Sequence, residues 1–211
     1  FSDPLPTEGD TVTLSAEIAN TGSHDGEGVV VAFFDGDPQV DGRYLCADFI
    51  PRVLTSTNEI ASCLWNTSGV TGTHEIYVIT DPTDRIVEED ENNNSTHASL
   101  VVLTKPDLQI ISLTPVQTEV IQGNAISVTA VLSNAGQTES VDVTLALYED
   151  TPIMKTIITS TTITVNGHEK TIVPLSWTAT KLGPQSLIAV ADPENLVSES
   201  NEKNNDARTS V

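Results

Sequence analysis

One set of acidic and amide side chains occurs twice in this chain at the same spacing. Residues 81–94 read DPTDRIVEEDENNN and residues 192–205 read DPENLVSESNEKNN. Asp81, Glu88, Glu91 and Asn93 return as Asp192, Glu199, Glu202 and Asn204, and Pro82 and Asn94 as Pro193 and Asn205. Such hard oxygens suit calcium, which takes roughly six to eight of them, often from one loop. The D-x-[DN]-x-[DN]-G order of the helix–loop–helix calcium cage is missing. The same residue types also do structural work. Asp-Pro starts a turn, and Asn and Asp side chains accept nearby backbone N–H groups. Two readings therefore stand for both segments: a carboxylate that ties the segment to the body of the fold, and a calcium site.

Other candidates are weaker. Asp35-Gly36-Asp37-Pro38-Gln39-Val40-Asp41-Gly42 gathers three carboxylates, with only Glu149-Asp150-Thr151-Pro152 at the matching place; it reads as a solvated hairpin tip. His24, His74, His97 and His168 are scattered and none recurs in the second copy. No G-x-S-x-G, H-E-x-x-H or glycine-rich phosphate loop is present. Two cysteines without suitably spaced histidines make no structural zinc site. A carboxylate pair for glycoside cleavage survives on counting alone, but a ~100-residue sandwich rarely offers a deep cleft. No residue is assigned a catalytic role.

The repetition extends beyond the acidic segments. EGDTVTLSAEIANTG at 8–22 returns as QGNAISVTAVLSNAG at 122–136, with Gly9, Asn20 and Gly22 matching Gly123, Asn134 and Gly136, and Trp65 returns as Trp177. A period of ~110 residues is too long for a solenoid and fits one β-sandwich per copy. The seam falls at Thr104-Lys105-Pro106, giving domains 1–104 and 105–211. Val12, Leu14, Ala16 and Ile18 alternate with Thr11, Thr13, Ser15 and Glu17, and Ile126, Val128, Ala130 and Leu132 repeat the pattern. Period two with β-branched residues predicts half-buried strands. Further strands are expected at 28–34, 43–50, 59–66, 73–80, 96–103, 107–113, 141–149, 153–165, 170–178, 185–191 and 206–211. Asn166-Gly167 reads as a two-residue hairpin turn in which both residues take positive φ. Trp65 and Trp177 are expected to plug the cores. The fold class is all-β, two tandem immunoglobulin-like sandwiches.

Cys46 and Cys63 lie on consecutive expected strands whose antiparallel pairing would set them side by side. That predicts a cross-strand disulfide and an oxidising compartment; two buried free thiols are the other reading. Leu175 stands where Cys63 would recur, so the bridge is optional to the fold. Asn66-Thr67-Ser68, Asn93-Asn94-Ser95 and Asn94-Ser95-Thr96 are glycosylation sequons, with Asn66, Asn93 and Asn94 as acceptors.

The 211 residues carry 9 Lys and Arg against 30 Asp and Glu, a net charge of −21. This field repels phosphate backbones, which argues against nucleic-acid binding, and no apolar run is long enough to insert in a membrane as a helix. The chain opens at Phe1 without Met or an apolar leader, so it reads as a processed form or part of something longer.

These motifs resemble the CARDB module, the cell-adhesion-related domain of bacteria and archaea. The resemblance rests on Pro106-Asp107-Leu108, Gly123, Asn134–Gly136, Trp177, Gly183 and D-P-x-N-x-V-x-E-x-N-E-x-N-N at 192–205. In the first copy it rests on Gly9, Asn20–Gly22, Trp65, Gly72 and 81–94. The resemblance implies immunoglobulin-like sandwiches in large secreted or cell-surface proteins, without catalytic residues. The chain is thus expected to be a non-catalytic extracellular module at the cell surface: a spacer, an adhesion segment or a filament subunit. A carbohydrate- or calcium-binding accessory module of a secreted protein is the alternative. For carbohydrate, Phe33, Phe34, Tyr44, Phe49, Tyr77 and Tyr148 are the aromatic residues on strands besides the tryptophans.

The first copy lacks the Pro-Asp-Leu opening. Phe1 aligns with Pro115, so residues 106–114 have no counterpart. Either the chain was trimmed or that stretch is disordered, or a strand from a neighbouring copy or another surface protein fills the gap by β-strand addition.

Overall fold

Alternation of apolar and polar residues sets the strands. In β1 (Thr11–Ala19), Val12 and Leu14 are buried while Thr11 and Ser15 face water. Five more strands complete the first unit: β2 (Gly26–Asp35), β3 (Arg43–Val53), β4 (Asn58–Asn66), β5 (Gly72–Thr80) and β6 (Ser95–Val102). The second unit holds β7 (Leu108–Pro115), β8 (Ala125–Asn134), β9 (Ser140–Asp150), β10 (Lys155–Val165), β11 (Lys170–Thr178), β12 (Ser186–Ala191) and β13 (Asp206–Ser210). This computed structural model describes residues 1–150 and 155–211. The expected strand start at Ile153-Met154 and the Thr151-Pro152 turn lie outside the described residues. The units are Phe1–Leu103 and Thr104–Val211.

Each unit is an immunoglobulin-like sandwich of two antiparallel sheets. Unit 1 has sheets ordered β1-β4 and β3-β2-β5-β6; unit 2 has β11-β8-β7 and β10-β9-β12-β13. Strand for strand, β1 to β6 correspond to β8 to β13. β7 has no counterpart, so unit 1 has a two-stranded sheet where unit 2 has a three-stranded one.

The inward faces supply the cores. Phe33, Leu14, Val12 and Val31 are shut from water in unit 1, and Leu108, Leu132, Leu145 and Leu187 in unit 2. Trp65 and Trp177 are each 4% exposed within these clusters. Burying a large aliphatic side chain is worth roughly 1.5–3 kcal/mol.

Two expectations require correction. Asn166-Gly167 does not join a hairpin, because β10 and β11 belong to different sheets. The positive φ falls on His168 at 59°, and Glu169 N donates to Asn166 O at 3.2 Å. Gly167 is required for a different reason: a Cβ there would lie 2.0 Å from the Gln137 carbonyl oxygen. Likewise, Cys46 and Cys63 are disulfide-bonded with Cα atoms 6.1 Å apart, but not across one sheet. β3 and β4 are edge strands of opposite sheets, since the 54–57 connection carries the chain from one sheet to the other. The bridge therefore clamps the two sheets of unit 1.

Closing a loop of this size stabilises a domain by roughly 3 kcal/mol in the chain-entropy account. We expect Cys46→Ala/Cys63→Ala to lower the denaturant midpoint of unit 1 and to leave that of unit 2 in place. Two alkylatable thiols in the native protein would contradict the bridge.

Candidate functional site

Both acidic segments begin with an aspartate held at positive φ, 45° at Asp81 and 44° at Asp192. In that conformation the carboxylate folds back over the next turn. Asp81 Oδ2 accepts the N–H groups of Arg85 and Ile86 at 2.7 and 2.6 Å. Asp192 accepts those of Leu196 and Val197 at 3.1 and 2.7 Å. Further along, Glu88 N donates to Glu91 Oε1 and Glu199 N to Glu202 Oε1, each at 3.0 Å. The recurring carboxylates thus shape the segment from within.

The two copies diverge at the first recurring glutamate, Glu88 in one and Glu199 in the other. Glu199 is buried, 8% exposed. Its Oε2 accepts Leu108 N at 2.5 Å and its Oε1 accepts Asn205 Nδ2 at 2.8 Å. Around this carboxylate the segment grips the entry to β7. Ser200 N donates to Pro106 O at 2.9 Å, and Asn204 Nδ2 to Asp107 Oδ1 at 2.8 Å. From the other side, Asn134 Oδ1 accepts Asp107 N at 3.0 Å. The Pro-Asp-Leu motif is therefore the docking address of the opening strand. In unit 1, Glu88 is only half-buried, Asn94 is half-buried and Asn93 is exposed.

Burial pushes the Glu199 carboxyl up to about 7; the charges of Glu202 and Asp192 push the same way, against the hydrogen bonds from Leu108 and Asn205. Burial also raises Glu88, helped by the charge of Glu91. Among the described residues, no three His, Cys, Asp or Glu side chains converge in a set that could hold a metal ion.

The remaining expected residues are spread over the surface. In the 35–42 tip, Asp37 O accepts the N–H groups of Val40, Asp41 and Gly42, and Asp35 faces His74 Nδ1 at 2.9 Å. Glu149 meets Lys181 at 2.9 Å and Asp150 meets Arg208 at 3.1 Å. Asn66 is exposed at the end of β4, with Oδ1 accepting Ser68 N at 2.8 Å. Phe33 is buried, whereas Tyr44 and Phe49 are 58% and 60% exposed. Phe34 meets Tyr44 edge-on at 5.7 Å, and Tyr77 stacks on His97 at 4.7 Å. The registers set Tyr44, Phe34, Tyr77 and His97 opposite one another across β3, β2, β5 and β6. A shallow concavity of about 500 Å³ in unit 2 is lined by Trp177, Leu182, Pro184 and Val211, with Glu119 and Lys181 as its charged residues. Sequence reasoning missed Asn134 as an acceptor for the opening strand, although its recurrence with Asn20 before a glycine was visible.

A carboxyl at 4.5 when unfolded and about 7 when folded binds its proton more tightly in the native state. Its contribution is fully present below the lower value and is lost as pH rises through the higher one. Subtracting the stability of Glu199→Gln from that of the native chain should leave a curve that falls across this window and is flat above it, measured as the unit 2 unfolding midpoint. A flat difference throughout would show that Glu199 ionises freely.

The CARDB family model matches residues 2–98 and 105–209. Among solved structures, the CARDB domain of a Pyrococcus furiosus protein, determined in complex with di-metal ions, shares 24% identity. It covers 51% of this chain and 92% of its own, at TM-score 0.45. A domain of a protein described as a cell-surface protein of Methanosarcina acetivorans shares 30% identity over 51% of this chain and 90% of its own, at TM-score 0.44. No curated protein matches the chain. The two stretches that fit the family model take in both acidic segments and both tryptophans, and on that evidence the chain belongs to the CARDB family.

Proposed function

We propose that the chain is a non-catalytic extracellular module of a cell surface, working as a spacer or adhesion segment. The single observation that supports this most is how its chemistry is spent. The recurring carboxylates, which alone could have formed a reactive or metal-holding cluster, accept backbone N–H groups that close the fold. Membership of a cell-adhesion-related family supports the same reading.

The mechanism is mechanical. Each unit is held by two sheets whose ladders include pairings far apart in sequence, such as β1 with β4 and β8 with β11. The net charge of −21 keeps such a surface soluble and apart from its own kind. That repulsion also weighs against a filament built from copies of this chain, so its contacts are with other surface proteins. The disulfide supports an oxidising, extracellular setting.

Labelling intact source cells with a membrane-impermeant amine reagent tests the placement, since Lys155, Lys170 and Lys203 are exposed. We expect modification of the chain without lysis; labelling confined to lysed cells would refute a surface role.

A further inference from the structure

All the glycosylation sequons of the chain lie in unit 1, and the fold sorts their asparagines. Asn94 is half-buried and already engaged. Its carbonyl accepts Thr80 N at 2.8 Å, and its Nδ2 donates to Glu91 Oε2 at 3.4 Å. A sugar on that nitrogen would have to displace the glutamate. Asn93 is exposed, but the hydroxyl of its sequon belongs to Ser95, which is fixed opposite Ile79 in the β5–β6 ladder.

Asn66 differs from both. It is exposed at the last position of β4, and a fixed turn follows it. Thr67 is fully buried. Its N–H donates to Asp10 O at 2.9 Å, and its hydroxyl lies 3.1 Å from Thr7 O and 3.0 Å from Asp10 O. Val70 N closes the turn on Thr67 O at 2.9 Å. Asn66 Oδ1 accepts Ser68 N at 2.8 Å, while its Nδ2 meets no acceptor among the described residues. Ser68, which supplies the hydroxyl of the sequon, is exposed beside it. Acceptor amide and hydroxyl thus stand together in water, on a turn whose middle residue is locked into the domain.

The strand that carries Asn66 shows what a glycan there would meet. Alternate residues share a face and a strand rises ~3.3 Å per residue, so Leu64 lies outward about 7 Å from Asn66. Leu64 is 69% exposed, with Thr13 opposite it on β1. Unit 2 supplies the contrast. Its β11 has Ser176 and Thr178 where β4 has Leu64 and Asn66. Ile60 and Ile172 are exposed in both copies, so the difference lies at the other two positions. The outward leucine and the acceptor asparagine occur together in unit 1 and are both replaced in unit 2.

We propose that Asn66 carries an N-linked glycan whose first sugars lie over Leu64 on the outer face of β4. This deepens the extracellular reading and rests on it, because such acceptors are used on surface loops of secreted proteins. In the transfer, Asn66 Nδ2 bonds to the anomeric carbon of a lipid-phosphate-linked oligosaccharide. The bond from that carbon to the phosphate oxygen breaks, and the lipid phosphate leaves with the electron pair. The amide gives one proton to a base of the transferring enzyme, and nothing is oxidised or reduced. A glycan is bulky and solubilising. The C–H faces of its sugars cover the leucine while its hydroxyls meet water.

Glycopeptide mass spectrometry of the whole chain, isolated from its source cells, tests the site. We expect a saccharide adduct on Asn66, lost in Asn66→Gln and equally in Ser68→Ala, which keeps the asparagine and removes only the hydroxyl. Stripping the glycan from the folded chain should raise binding of a hydrophobic dye several-fold, and Leu64→Ser should cancel that rise. An unmodified Asn66 overturns the proposal, as does a glycan confined to Asn93 or Asn94. Dye binding that stays the same on stripping overturns the covering of Leu64. If amine labelling of intact cells finds the chain at the surface while Asn66 is bare, the glycan fails and the surface role stands.

Discussion

The hydrogen bond from the Leu108 amide to the buried Glu199 carboxylate joins the opening strand of unit 2 to a segment 91 residues later. The closure of that sandwich depends on it. A sheet edge with unpaired N–H and C=O groups invites foreign pairing, and an apolar sheet face must be covered. β7 does both, but an edge strand laid across two sheets needs a fixed register, because a slip of one residue would turn its leucines outward. The acidic segment fixes it. Asp192 shapes the turn, Glu199 and Ser200 hold the backbone at Leu108 and Pro106, and Asn204 holds the Asp107 side chain. Burial of Glu199 opposes its ionisation, so the site gives up some stability in exchange for a defined register.

Charge otherwise contributes little to holding the fold. Arg52 pairs with Asp25, Lys181 with Glu149 and Arg208 with Asp150, and the three cations are each more than half exposed. Exposed pairs of this kind contribute typically ~0–1 kcal/mol. With 9 Lys and Arg against 30 Asp and Glu, most carboxylates have no cation to pair with. Stability must then come from the two cores, and the surplus charge acts on solubility and association rather than on the fold.

Period-two alternation and the repeated motifs made the strands legible: Val12 and Leu14 in β1, and Val128, Ala130 and Leu132 in β8, are buried as their spacing implies. What the sequence concealed was which strands share a sheet. Cys46 and Cys63 looked like neighbours across a ladder, and Asn166-Gly167 like a hairpin turn, because a short connection is the same in sequence whether the chain returns to its own sheet or crosses to the facing one. That choice is made by long-range packing. In the acidic segments the residue types were visible, but their roles were not. An oxygen that accepts a backbone N–H and one that awaits a cation carry the same letter, and only the position of Leu108 N distinguishes them.

The divergence between the copies has a mechanical logic. In unit 2, β7 lies on one sheet and packs on strands of the other, so a strand ties the two sheets together. Among the described residues unit 1 shows no such strand, and there Cys46 and Cys63 link β3 to β4 across the sandwich. The covalent tie sits on the β4 side of the two-stranded sheet, away from the free edge of β1. The bridge stabilises unit 1 by constraining the unfolded chain. The copy that is already closed by its own strand has Leu175 in place of the second cysteine and gains no corresponding advantage from a bridge.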